Sequence, residues 1–225
     1  MMMNDIGMIA ADTTRTFHYL NELITNKLFP KFVLLLINTD NNLMPGQKEV
    51  NSIENLLKLL EGSNIQYKIS SNSDVNSNEV VNQIRSRNET VFIFSGFGGI
   101  LLRDSVLATG KRFLHVHGGY LPNYKGSTTN YFSLIEEGMI GASSIFLTKD
   151  IDCGPIILRK KFKPPRQRAY LDHVHDSEVR AKVLVETLQN YVVDGEFKFE
   201  LESNVGGETF YIIHPVLKHI AIMGN

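Results

Sequence analysis

A single cysteine, Cys153, stands in the 225 residues of this chain, so no internal disulfide is available and a reducing compartment is expected. Charge of one sign is also missing. The 23 Lys and Arg are balanced by 24 Asp and Glu, for a net charge of −1, which argues against non-specific nucleic-acid binding. The apolar run from Phe32 to Ile37 is far too short to span a bilayer. The N-terminus has no basic stretch leading into a long apolar run, so no signal peptide is expected. Internal repeats and low-complexity segments are lacking, and no Gly-x-Gly-x-x-Gly follows the first apolar strand, which removes the usual dinucleotide fingerprint. A soluble, cytoplasmic protein is expected.

What is present is an alternation of strands and helices. Short apolar runs at Ile6 to Ala11, Phe32 to Ile37, Ile65 to Ile69, Thr90 to Phe94 and Arg112 to Val116 read as strands. Helical spacing lies between them, with Asp12, Thr13 and Thr14 offering a cap before Phe17, Leu20, Leu23 and Ile24, and further helices around Gln47 to Glu61, Glu79 to Arg87 and Arg103 to Ala108. Such alternation predicts a mostly parallel, Rossmann-like α/β sheet with helices on both faces. Ser127 or Thr128 caps a further helix that buries Tyr131, Leu134 and Ile135. The runs Ala142 to Leu147 and Pro155 to Phe162 read as antiparallel edge strands. A basic, proline-containing linker, 163–168, divides a catalytic domain over 1–168 from a C-terminal appendage over 169–225. In the appendage Asp176 and Ser177 precede a helix, and Asn204 to Gly207 read as the turn of a hairpin between Glu196 to Leu201 and Thr209 to Ile213.

The chemistry concentrates in two places. His115 and His117 lie two residues apart on a strand and so face the same side; Gly118 and Gly119 break that strand at its carboxyl end, where open α/β sheets carry their sites. Further on, Asp152 sits in a turn with Cys153, Gly154 and Pro155 that can return a carboxylate to His117, fixing its tautomer and stabilising its imidazolium. Other readings of the same residues stay open. His-x-His is also a metal-ligand spacing, with Asp152 as a third ligand and His173 and His175 as a second pair. Without the loops beside them the two histidines would pass for ordinary strand residues. Cys153 reads as small turn filler, and Arg103, Arg159, Arg166 and Arg168 as solvated charge. Gly96, Gly98 and Gly99 around Phe97 let a flat ring lie against the backbone.

These residues resemble the folate-dependent formyltransferases. The family signature Asn-x-His-Pro-Ser-Leu-Leu-Pro is matched by His115 to Pro122, its Asp-x-Gly-Pro turn by Asp152 to Pro155, and its Ala-Gly-Phe-x-x-Ile-Leu strand end by Ser95 to Leu101. The likeness is strongest over roughly 90–160 and carries one departure, His115 in place of the asparagine. The resemblance implies an N-formyltransferase using 10-formyltetrahydrofolate. His117 and Asp152 would handle the proton and His115 the oxyanion. Phe97, Gly98, Gly99, Ile100 and Leu101, with Asp150 and Ile151 from the turn, would line the pterin groove. No metal is implied. Tyr120, Lys125 and Thr129 are candidate contacts to the acceptor, a small-molecule amine, with Lys125 placed to meet a phosphate. The loop from Gly119 to Thr129 looks most like small bacterial sugar N-formyltransferases, and no basic C-terminal barrel of the kind that binds tRNA is expected. A nucleotide-linked amino sugar for surface glycans is therefore the expected acceptor. A formyl or amide hydrolase and a noncatalytic folate-binding homologue are the rival readings. No membrane or nucleic-acid partner is expected, and a homodimer is left open.

Overall fold

The computed structural model describes residues 1–37 and 53–224. The start of the helix expected around Gln47, and the side chain of His173, lie outside the described residues. The chain divides into two compact units, Met1–His115 and Val116–Asn225, so the division falls inside the strand that carries the two histidines.

The first unit opens with β1 (Met2–Met3) and β2 (Ile6–Ala11), followed by α1 (Thr14–Thr25), β3 (Phe29–Pro30) and β4 (Val33–Leu36). Then come α2 (Ile53–Gly62), β5 (Tyr67–Ser70), α3 (Asn78–Arg85), β6 (Val91–Ser95), α4 (Asp104–Leu107) and β7 (Arg112–His117). The short β1 and β3 pair with each other in parallel. The main strands form a parallel sheet in the order β7-β6-β2-β4-β5, with Met8 opposite Val33 on one side and Ile93 on the other. Every residue of β2, β4 and β6 is buried, which requires cover on both sheet faces, as parallel sheets generally have. Helix α1 supplies part of it because its sequence has the right period. Thr16, Tyr19, Leu20 and Leu23 are buried along one face, and the Thr13 hydroxyl caps the first turn by accepting the Thr16 N–H at 3.3 Å. Ser77 does the same for α3.

The second unit carries β8 (Tyr124–Gly126), α5 (Thr129–Glu137), β9 (Ile140–Phe146), β10 (Ile156–Phe162), α6 (Asp176–Asp194), β11 (Glu208–Phe210) and α7 (Pro215–Met223). As expected, β9 and β10 run antiparallel, from Ile140 opposite Phe162 to Ile145 opposite Ile156, with an irregularity between Ile156 and Leu158. Helix α6 packs on both. Among the described residues no helix is long and apolar enough to cross a membrane.

Two expectations fail here. The C-terminal hairpin does not form. Instead β11 pairs in parallel with β8, Glu208 opposite Tyr124 and Phe210 opposite Gly126, while Leu201 makes an isolated bridge to Ile156. The glycines at 206 and 207, both at positive φ, turn the chain across β8 instead of folding it back on itself. Ile135 is 42 % exposed; the buried face of α5 is rotated onto Thr129, Asn130, Tyr131, Ser133 and Leu134, because Asn130 reaches in to accept the Gly141 N–H at 2.7 Å and donate to Asp176 at 2.9 Å.

Candidate active site

The last turn of β7 sets two imidazoles in different surroundings. Nδ1 of His115 lies 3.1 Å from the carbonyl oxygen of Phe94, and its ring tilts against the Phe94 ring at 6.2 Å. A carbonyl only accepts, so Nδ1 carries the hydrogen. His117 is buried at 4 % exposure. Its Nε2 lies 2.7 Å from the Tyr124 carbonyl oxygen and its Nδ1 3.3 Å from Oδ2 of Asp152.

The glycine pair after His117 has a steric reason. A Cβ on Gly119 would lie 2.6 Å from both His117 Nε2 and the Tyr124 carbonyl oxygen, so a larger residue would part the imidazole from its partner. A Cβ on Gly118 would meet the Arg180 guanidinium and the Asp176 carboxylate, which are paired at 2.8 Å. Beyond them the Leu121–Pro122 bond is cis. The Leu121 N–H donates to Ser143 Oγ at 3.0 Å, and Ser143 Oγ donates in turn to the Gly119 carbonyl oxygen at 2.7 Å. Nη1 of Arg159 donates to the Leu121 carbonyl oxygen at 2.7 Å. The loop is thereby fixed at both ends.

Asp152 reaches this loop from a turn in which its own backbone is left-handed, at φ +51°. One carboxylate oxygen, Oδ2, accepts the Gly126 N–H at 2.8 Å and faces His117 Nδ1. Its carbonyl oxygen accepts from Nδ2 of Asn204 at 2.6 Å. Burial pushes the His117 imidazole below its ordinary pKa; Asp152 pulls the other way, Arg180 depresses it further, and the Tyr124 carbonyl and Asp176 raise it. With the Nε2 hydrogen donated to Tyr124, the neutral ring presents a lone pair at Nδ1 to a carboxylate. A proton placed between Nδ1 and Oδ2 would satisfy both atoms.

The remaining candidates fall into three groups. Phe97 is half-buried, Gly98 and Gly99 are exposed, and Ile100 and Leu101 are 43 % and 54 % exposed. Asn76 pins this loop by donating to the Leu101 carbonyl oxygen at 3.0 Å and accepting the Arg103 N–H at 2.8 Å. A cavity of about 340 Å³ opens beside it, lined by Leu36, Val75, Phe94, Gly96, Phe97 and Ile100 among others. Exposed apolar side chains next to bare glycines fit a flat aromatic ring. Asp150 and Ile151 are exposed on the Asp152 turn, as is Cys153.

The acceptor candidates are occupied in ways the sequence does not reveal. Lys125 is a correction: it is buried, and its ammonium donates to the Asn204 carbonyl oxygen at 3.0 Å, so it is held within the protein and not offered to a phosphate. Thr129 is buried, with its hydroxyl donated to the Gly118 carbonyl oxygen. Tyr120 lies under two cations, Arg159 at 4.8 Å and Lys161 at 4.9 Å from its ring centre. Arg159 is a loop anchor and not a solvated charge; it also pairs with Glu200 at 3.3 Å. His175 pairs with Glu178 at 3.0 Å. Among the described residues no three His, Cys, Asp or Glu side chains converge as a metal site would need.

Sequence reasoning missed Asn204, the Gly126 N–H and the Tyr124 carbonyl. The two backbone groups leave no mark in a sequence, and Asn204 carried only the signal of a polar residue beside a glycine pair.

Known proteins resemble this chain in sequence and in fold. The formyltetrahydrofolate deformylase of Bacillus subtilis is 24 % identical over 91 % of this chain and 64 % of its own length. A methionyl-tRNA formyltransferase of Trichlorobacter lovleyi is 28 % identical over 51 % of this chain and 37 % of its own length. The chain thus spans less than two thirds of these curated relatives. Among solved structures, an N-formyltransferase of Helicobacter canadensis, in complex with folinic acid and dTDP-3-aminofucose, superposes with a TM-score of 0.56 at 15 % identity, covering 93 % of this chain and 71 % of that one. The formyl transferase family model matches residues 4–187, and the chain belongs to the formyl transferase family.

Proposed function

We propose that this protein transfers the formyl group of 10-formyltetrahydrofolate to a primary amine, the amino group of a nucleotide-linked amino sugar. The observation that carries the reading is the buried His117–Asp152 pair, 3.3 Å apart, on the two motif positions that the family resemblance assigns to proton handling. The acceptor class draws support from the Helicobacter canadensis relative, whose structure holds folinic acid and dTDP-3-aminofucose.

In this reading the amine nitrogen attacks the formyl carbon and the carbonyl π electrons move to oxygen, giving a tetrahedral oxyanion. Collapse reforms the C=O bond and breaks the bond to the folate nitrogen. One proton leaves the amine and one reaches the folate nitrogen, so the His117–Asp152 pair gains one at Nδ1 and returns one. The oxyanion requires N–H donors. With the Nδ1 hydrogen donated to Phe94, His115 has a second N–H, at Nε2, only as the imidazolium. The loop Phe97 to Leu101, with the cavity beside it, is the element that holds the pterin. Of the three acceptor candidates Tyr120, Lys125 and Thr129, Tyr120 is the one whose side chain is not buried.

Hydrolysis of the same donor is the second reading, favoured by the Bacillus subtilis deformylase, which aligns over most of this chain. Water would replace the amine, and formate would leave. The two separate in one experiment. The purified protein is incubated with 10-formyltetrahydrofolate and a panel of nucleotide-linked amino sugars, and products are weighed by mass spectrometry. Tetrahydrofolate release that requires an amino sugar, with the mass gain of one formyl group on that sugar, supports transfer. Equal release in its absence establishes hydrolysis instead, and no release under either condition removes both.

A further inference from the structure

We infer that Asn204 is a positioning residue for the His117–Asp152 pair, and that the segment it begins, 204–210, is the strap that holds both partners of that pair in place. The inference rests on the reading of the pair as the proton-handling group. Asn204 lies 52 residues beyond Asp152 and is 4 % exposed. Its Nδ2 donates to two carbonyl oxygens of the catalytic turn, Asp152 at 2.6 Å and Gly154 at 3.1 Å. The opposite orientation of the carboxamide would set Oδ1 against the same two oxygens, so the network fixes which end points inward. Its own Oδ1 is buried with no partner among the described residues. A side chain that leaves one acceptor unsatisfied is held there for its two N–H groups.

Those two bonds act on a turn that needs holding. Asp152 adopts a left-handed backbone, which non-glycine residues rarely take without outside support. Clamping its carbonyl on one side directs the carboxylate to the other, where Oδ2 meets the Gly126 N–H and the imidazole.

The rest of the strap acts on the far side of the same pair. Glu208 N–H donates to the Asn123 carbonyl oxygen at 3.2 Å and Ser127 N–H to the Phe210 carbonyl oxygen at 2.9 Å, bracketing β8. Lys125 in the middle of β8 is tied to the Asn204 carbonyl oxygen. Strand β8 supplies the Tyr124 carbonyl to His117 Nε2 and the Gly126 N–H to Asp152. One stretch of seven residues (204 to 210) thus touches the support of every hydrogen bond that the pair makes, and Phe210 is stacked on the Tyr124 ring at 5.6 Å.

The test compares the full-length protein with Asn204→Ala and with Asn204→Asp, which keeps the size but cannot donate from either oxygen as a carboxylate. The first readout needs no substrate: NMR titration of the His117 ring nitrogens. The charged groups facing that ring are Asp152, Arg180 and Asp176. Asn204→Ala releases only Asp152, so loss of its influence shifts the His117 titration to lower pH in that variant; Asn204→Asp brings a carboxylate of its own near the ring and is read by turnover alone. The second readout is kinetic, with turnover expected to fall about 100-fold, the scale of a small misplacement at a reacting centre, while KM for both substrates stays near wild type. Asn204→Ser, which keeps one donor, recovers part of the turnover. A folded Asn204→Ala variant with an unchanged His117 titration overturns the inference. So does a loss of turnover that vanishes when each protein is assayed at the same interval below its own melting temperature. If Asn204→Ala does not fold, Asn204→Ser decides by the same two readouts, with a smaller shift and a smaller loss, and Asn204→Asp by turnover. Should the wild type turn over no formyl donor, the functional reading fails, and the ring titration still decides the role of Asn204.

Discussion

A single oxygen of Asp152 lies 3.3 Å from Nδ1 of His117 while accepting the Gly126 N–H at 2.8 Å. The carboxylate is therefore aimed by a backbone donor, and the imidazole is the second, longer contact of an oxygen already held.

Asp152→Asn keeps the shape of that contact and removes its charge. Turnover is expected to fall by about 100-fold or more, the usual size of a lost acid–base partner, with little change in the melting temperature. The His117 titration moves to lower pH, because the carboxylate is the group that most raises it against burial. Steady-state kinetics and NMR of the ring check both halves, and a fully active, folded variant removes the pair from the mechanism.

Burial of His117 makes stability depend on pH with a definite sign. An imidazole depressed below its ordinary value stays neutral in the folded protein, whereas the unfolded chain binds a proton below about pH 6.5. The contribution is intact above that value and is lost as pH falls towards the lower, folded value. Chemical denaturation of wild type and His117→Asn between about pH 7.5 and 5.5 should show the variant losing less stability on acidification. Parallel slopes would mean that the ring is not held neutral, with Asp152, Arg180 and Asp176 setting a different balance around it.

Gly207 tests the strap without touching a side chain. Its φ is +73° and a Cβ there would overlap the Pro122 carbonyl oxygen, so Gly207→Ala meets both backbone strain and a clash with an atom that cannot rotate away. A loss of about 1–3 kcal/mol of stability is expected, measured by denaturant titration. Gly206→Ala shares the positive φ, but nothing lies within 4 Å of its Cβ, and it should lose less.

What could be read in advance follows from which features have a local period. The strands β2, β4 and β6 and the helix α1 were legible because burial on both faces leaves unbroken apolar runs and the helix repeats its apolar face every three to four residues. The meeting of Asp152 with His117 was legible from a Gly-Pro turn between two strands. The pairing of β11 with β8 was not, since each is three residues long and parallel register is set by distant backbone groups. Helix α7 was missed although His214 and Pro215 offered a cap and a first-turn proline. Its Val216, Leu217, Ile220 and Met223 are all exposed, so no buried stripe marked it. Lys125 misled for a related reason: a cation at the end of a catalytic loop looks available until its burial is known.

His115 gives the sharpest test, because its hydrogen-bond partner already restricts what it can do. Nδ1 donates to the Phe94 carbonyl oxygen at 3.1 Å, and a neutral imidazole has one N–H to give. Stabilising an oxyanion through Nε2 therefore requires the imidazolium, and that contribution fades as the ring deprotonates. A carboxamide in the same place donates at every pH. His115→Ala should lose about 100- to 1,000-fold in turnover, the scale of a deleted oxyanion donor. His115→Asn, which restores the residue of the family signature, should keep a substantial part of the activity and lack the alkaline decline expected of the wild type. Rate profiles of the three proteins across neutral pH check the assignment; an alanine variant as active as wild type would leave His115 with no part in the chemistry, and an alkaline limb unchanged in the asparagine variant would assign that limb to another group.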